Sequence, residues 1–119
     1  MNSGKQCTWV PTEHDVQNQI RLALSEQGFC VFRANIGKVK LADGRWFDTG
    51  LPKGFSDLFA IKNGKIYFIE VKKDGGRVRD DQKKFLEIMR SRYGCPGGIA
   101  YSVADALQIV EDSNGRTAL

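Results

Sequence analysis

The chain has 119 residues and a formal net charge of +4, from 18 Lys and Arg against 14 Asp and Glu. That length suits one domain with one core, and the longest apolar stretches fall far short of the ~20 residues needed to span a bilayer. Cys7, Cys30, Cys95 and the single histidine, His14, show neither metal-ligand nor disulfide spacing, and the N-terminus lacks a continuous apolar leader segment. A zinc site, a disulfide framework and secretion are therefore disfavoured, and a cytoplasmic setting with reduced thiols is expected. The basic balance suits an anionic partner.

Residues 1–11 show no period and are expected to form an irregular arm. Thr12 followed by Asp15 resembles a capping box, with Asp in place of the usual Glu or Gln, and Val16, Ile20, Ala23 and Leu24 then fall on one face. The pattern predicts a helix from Glu13 to Gln27 that Gly28 stops, with His14 exposed on it. Phe29 to Ala34 reads as a strand in which Cys30 packs as a small apolar residue. Ile36 to Lys53 carries Lys38, Lys40, Arg45 and Lys53 among glycines and a proline, which predicts a hairpin or a long basic loop.

Asp57 to Ile61 is a short apolar strand, and Asn63-Gly64 is a strong type I′ turn signal leading into Lys65 to Lys72. The two strands should pair antiparallel. Gly75-Gly76 ends the second of them. Asp80-Asp81 then suits the positive N-terminus of a helix running to about Tyr93, with Phe85, Leu86, Ile88 and Met89 apolar. Gly97 to Tyr101 reads as a strand, Ser102 with Asp105 repeats the capping-box pattern, and a last helix runs to about Glu111. The order predicts an α/β domain over residues 12–112 with a mixed central sheet flanked by helices, followed by a frayed tail at 113–119.

Chemistry concentrates between Asp57 and Lys72. Successive side chains on a strand alternate faces, so Glu70 and Lys72 emerge on one face, about 6.6 Å apart along the strand. A half-exposed charged face is the simpler reading of such a pair, but Ile66 and Phe68 share that face and argue for its burial. Buried charges cost several kcal/mol unless partnered, so their presence on an apolar strand suggests a use. Asp57 starts the neighbouring strand and can reach the same edge. Two close carboxylates repel unless a cation lies between them, and a hard divalent ion such as Mg2+ needs few protein oxygens beside waters and a substrate phosphate. Lys72 would stabilise developing negative charge or orient a water. Glu13, on the inward face of the first helix with Val16 and Ile20, is either a third acid for that ion or a residue that stabilises the helix start.

The residues Glu13, Gly54-Phe55-Ser56-Asp57-Leu58, Ile69-Glu70-Val71-Lys72 and Asp81-Gln82 together resemble the VRR-NUC branch of the PD-(D/E)XK nuclease superfamily, over about Thr12 to Ile109. Ser56 stands where the superfamily has proline. The resemblance implies a restriction-endonuclease-like core and a Mg2+- or Mn2+-dependent endodeoxyribonuclease. It implies Glu13, Asp57, Glu70 and the main-chain carbonyl of Val71 as metal ligands, Lys72 as the catalytic lysine, and Gln82 near the active site. Stand-alone members of this branch resemble homodimeric resolvases of four-way (Holliday) junctions, others are domains of larger repair nucleases, and a chain of this length resembles the stand-alone kind. Branched DNA, a homodimer and a place in DNA repair or recombination are thus expected. A less selective nuclease or nickase with the same site, and a DNA-binding module that does not cut, are the alternatives.

Arg33 resembles the family's segment leading to the substrate-side loop. Lys38, Lys40, Lys53, Lys73, Arg77 and Arg79 are further candidates for phosphate contacts, although for any single one a solvated surface charge is the simpler reading. Trp46 and Phe47 leave two readings open: stacking on an opened base, or packing against the body or a second subunit.

Overall fold

The computed structural model describes residues 10–115, without the side chains beyond Glu111. Among these residues lie three helices, α1 (Glu13–Glu26), α2 (Asp80–Tyr93) and α3 (Val103–Gly115), and six strands. The strands are β1 (Cys30–Arg33), β2 (Lys38–Lys40), β3 (Trp46–Asp48), β4 (Leu58–Lys62), β5 (Lys65–Val71) and β6 (Gly97–Ala100). Most of the expected arm, and the end of the expected tail, lie outside the described residues. No described helix is long and apolar enough to cross a membrane.

Local signals decide where the elements begin. Asp15 N–H donates to Thr12 Oγ1 at 3.1 Å and Thr12 N–H donates back to Asp15 Oδ2 at 2.9 Å, closing the capping box. The Thr12 N–H also holds the Asp15 carboxyl below the usual carboxylate range. A related arrangement holds α3, where Asp105 N–H donates to Ser102 Oγ, while the bond back to Asp105 Oδ2 comes from the N–H of Tyr101, one residue before Ser102. Asn63 and Gly64 both adopt positive φ, 54° and 77°, as a type I′ turn demands. They close β4 onto β5. The last helix is longer than expected, continuing past Glu111 to Gly115 because nothing in Asp112-Ser113-Asn114 breaks it.

The central sheet has the order β1-β4-β5-β6, with β6 parallel to β5 and the other pairs antiparallel, so it is mixed. β2 and β3 form a separate hairpin. Alternation along the strands sorts the two faces. Leu58 and Ala60 of β4 and Tyr67, Ile69 and Val71 of β5 join Val16, Ile20 and Leu24 of α1 and Ala106 and Val110 of α3 in one apolar core. Ile20 and Leu24 are fully buried there, each such side chain contributing about 1.5–3 kcal/mol by leaving water.

Among the described helices, α2 covers the opposite face. Phe85 of α2 packs on Phe68 of β5 and on Phe55, and Phe55 and Phe68 in turn meet Phe59 of β4. α2 lies over the β5–β6 side and leaves the outer strand β1 open, so Phe32 stacks on Phe59 yet remains 44% exposed. Cys30 shares that uncovered side with Phe32 and is exposed, which corrects its expected role as a packed apolar residue. A sequence pattern that marks a strand does not say which part of its sheet a single helix will cover.

Candidate active site

Glu70 of β5 and Lys72, one residue past its end, lie together on the α2 side, and both are buried, at 1% and 7% exposure. Leu58 pairs with Ile69 across β4 and β5, and continuing that register by one residue sets Asp57 opposite Glu70. Asp57 Oδ2 accepts a hydrogen bond from Val71 N–H at 2.9 Å, which ties the carboxylate to the end of β5. Lys72 Nζ lies 3.5 Å from Glu70 Oε2.

Gln82 joins α2 to this pair. Its Nε2 donates to Glu70 Oε2 at 2.6 Å, while its Oε1 accepts from Arg79 N–H at 2.9 Å at the helix start. Turning the amide over would set an oxygen against a carboxylate and an NH2 against an N–H donor, so the two bonds fix its orientation. Glu70 Oε2 is thereby engaged by both Gln82 and Lys72. Its other oxygen, Oε1, is buried without a hydrogen-bond partner.

Burial pushes the Glu70 carboxyl up to about 8, the nearby Asp57 charge adds to the effect, and Lys72 opposes it. A buried carboxylate with one orphaned oxygen beside a second carboxylate suits a cation. The donor set fits a hard divalent ion held by Asp57 and Glu70. Among the described residues no three Asp, Glu, His or Cys side chains gather into one cluster. Glu13, Asp57 and Glu70 therefore do not form such a group among the described residues. Glu13 sits half-buried in the first turn of α1, which packs on the opposite face of the sheet. Its helix start does reach the same end of the sheet, where Val10, Pro11 and Val16 line a cavity of about 330 Å3 with Lys73, Asp74 and Tyr101.

Two residues hold the approach to Asp57 without displaying it in the sequence. Ser56, in the place of the expected proline, is buried, and its Oγ donates to Leu58 O at 2.9 Å. Gly54 has φ of +96°, and a Cβ there would lie 2.6 Å from the Asp81 carbonyl oxygen on the first turn of α2. Only glycine allows the Asp57 loop and the Gln82 helix so close. Gly54→Ala is expected to cost about 1–3 kcal/mol from backbone strain alone, more once the α2 start is displaced, and to lower activity with it. Urea unfolding checks this, and an unchanged midpoint would show that the contact is loose. The positive φ and tight approach were hidden in a sequence rich in glycine; the signal for Gly54 was its place three residues before Asp57.

The expected phosphate-contacting residues Arg33, Lys38, Lys40, Lys53, Lys73, Arg77 and Arg79 are all exposed. Arg33 ends β1 beside Leu58, and the next residue, Ala34, donates its N–H to Asp57 O at 2.8 Å. Arg79 Nε pairs with Asp81 Oδ1 at 3.1 Å.

The family model for the VRR-NUC domain matches residues 12–106, most of the chain and every acid and lysine just described. The chain belongs to the VRR-NUC family. It is thus a nuclease domain of the PD-(D/E)XK type and, as such, binds DNA. A solved structure described as a VRR-NUC domain superposes with a TM-score of 0.61 at 22% identity, covering 85% of this chain and 96% of that one. That likeness shows a shared fold. No curated protein is similar enough in sequence to count as a match. Within the matched region, Asp57 just precedes β4, Glu70 and Lys72 lie at the end of its antiparallel neighbour β5, and α2 supplies the glutamine bonded to Glu70.

Proposed function

We propose that this VRR-NUC domain is a divalent-metal-dependent, structure-specific DNA endonuclease with a four-way junction as its favoured substrate. The observation that carries the reading is the buried Glu70, one oxygen engaged by Gln82 and Lys72 and the other orphaned beside Asp57. Asp57 and Glu70 would hold Mg2+ or Mn2+, with Glu13 and the main-chain carbonyl of Val71 as further ligands. When bound, such an ion polarises a phosphoryl oxygen and lowers the pKa of a coordinated water.

The residues divide the remaining work. Gln82 keeps Glu70 Oε2 in one position, so the glutamate does not swing to meet solvent. Asp57 is held by Val71 N–H, which fixes the second carboxylate against the same strand. Lys72 is a compact cation on the buried face. It donates hydrogen bonds to the attacking water or to charge growing on the phosphate oxygens, as water displaces the 3′ oxygen in line. Arg33, Lys38, Lys40, Lys53, Lys73, Arg77 and Arg79 supply candidate phosphate contacts along the bound strands. A four-way junction presents two symmetry-related cutting points, which a homodimer of this small domain would match, in the service of DNA repair or recombination.

Cleavage of junction, flap, nicked and linear duplex DNA with Mg2+ tests the reading. The junction is expected to be cut fastest, with the other three slower. Equal rates on all four would identify a less selective nuclease, and binding without cutting under any divalent ion would identify a DNA-binding module.

A further inference from the structure

The β2–β3 hairpin makes no extensive packing with any other element. All six of its strand residues are exposed, and an isolated two-stranded ribbon of that length is marginal in water. Its register sorts the side chains. Val39 pairs with Phe47 on one side, while Lys38 opposite Asp48 and Lys40 opposite Trp46 occupy the other. Lys40 Nζ lies 5.9 Å from the Trp46 ring centroid, and Trp46 is 64% exposed. A bulky indole left open beside two lysines is therefore displayed on an arm that no other described element packs against extensively.

The arm also springs from the active-site end of the sheet. Its base is closed by Thr49 N–H donating to Gly37 O, and the chain enters it from Ala34, whose N–H is bonded to the Asp57 carbonyl. From Ala34 to Lys40 the backbone spans at most about 20 Å, or about six base-pair steps along a duplex. A DNA strand whose phosphate sits at Asp57 and Glu70 therefore passes within reach of the arm.

Resting on the nuclease reading above, we infer that the β2–β3 hairpin is a DNA-gripping arm in which Trp46 stacks on an unpaired base while Lys38 and Lys40 take the flanking phosphates. Stacking tolerates any base because every base offers a π face, so the arm selects unpaired structure rather than sequence. Charge favours this occupant over an apolar protein surface, since Trp46 shares its side with two lysines against the one acid, Asp48.

The full chain with Trp9→Phe leaves Trp46 as its fluorophore. The probes are a fully paired duplex and the same duplex with a single-stranded gap, both with Ca2+ as the divalent ion. Trp46 emission is expected to be quenched by the gapped DNA more than by the duplex. Trp46→Ala is expected to weaken gapped-DNA binding roughly 5- to 150-fold, with little change for duplex, and Trp46→Phe to restore part of the loss. Unchanged affinity of Trp46→Ala for gapped DNA, with cleavage intact, overturns the inference and leaves the nuclease reading standing. Conversion of a dimer to a monomer by Trp46→Ala, at unchanged DNA affinity, assigns the arm to a second copy of the chain and also overturns it. Quenching retained in a protein that cuts no DNA supports the arm and counts against the nuclease reading.

Discussion

Lys72→Ala is expected to slow strand cleavage by about 10²- to 10⁴-fold while the domain stays folded. Lys72 Nζ is a cation on the buried face beside Glu70, so its loss removes charge stabilisation that bulk water cannot replace in a site closed by α2. Removing one partner of a buried ion pair ordinarily costs about 3–5 kcal/mol, because the other charge is stranded. Here the stranded group can take a proton. The Glu70 carboxyl is already pushed up to about 8 by burial and by Asp57, and losing Lys72 removes the influence that opposed that rise. The variant should therefore unfold at a urea concentration close to the parent's near neutral pH, yet nick DNA very slowly. Single-turnover cleavage and urea unfolding separate the two effects. A Lys72→Ala protein with full Mg2+-dependent nicking would remove the lysine from the chemistry.

The second large effect belongs to Glu70→Gln, and it is read through pH. An acid whose folded pKa lies above its ordinary value of 4.5 keeps its proton longer in the folded chain than in the unfolded one. The folded state then binds more protons between about 4.5 and about 8, so stability is greatest below that window and falls as pH rises through it. The fall should amount to a few kcal/mol on the scale of about 1.4 kcal/mol per pH unit. Glu70→Gln carries no titrating proton, so its stability should be flat across the window at that site. Mg2+ should stabilise the parent more at pH 8 than at pH 6, because binding displaces the Glu70 proton, and should do little for the variant. Cleavage by Glu70→Gln is expected to fall at least as far as that by Lys72→Ala. Equal Mg2+ stabilisation of parent and variant would show that Glu70 holds no ion.

Much of the architecture was legible before the structure because it is written in local signals. Thr12 with Asp15, Ser102 with Asp105 and Asn63-Gly64 each determine a boundary through bonds within a few residues, and each falls where expected. The burial of Glu70 and Lys72 followed from Ile66 and Phe68 on the same side of one strand. What was not legible depends on elements far apart in the chain. Cys30 is exposed because α2 covers only part of its face, and no property of Cys30 itself reports where α2 lies. The twofold bonding of Gln82 and the contact of Gly54 with Asp81 likewise exist only once α2 is seated. The hairpin was expected, whereas the separation of Trp46 from Phe47 onto opposite sides came from its register.

The central claim is that Asp57 and Glu70 share a divalent ion. Anomalous scattering from a crystal soaked in Mn2+ tests it most directly. A single strong peak bonded to carboxylate oxygens of both Asp57 and Glu70, with the formerly unpartnered Glu70 Oε1 among its ligands, is the predicted result. A peak coordinated elsewhere, with those two carboxylates unchanged, would contradict the account.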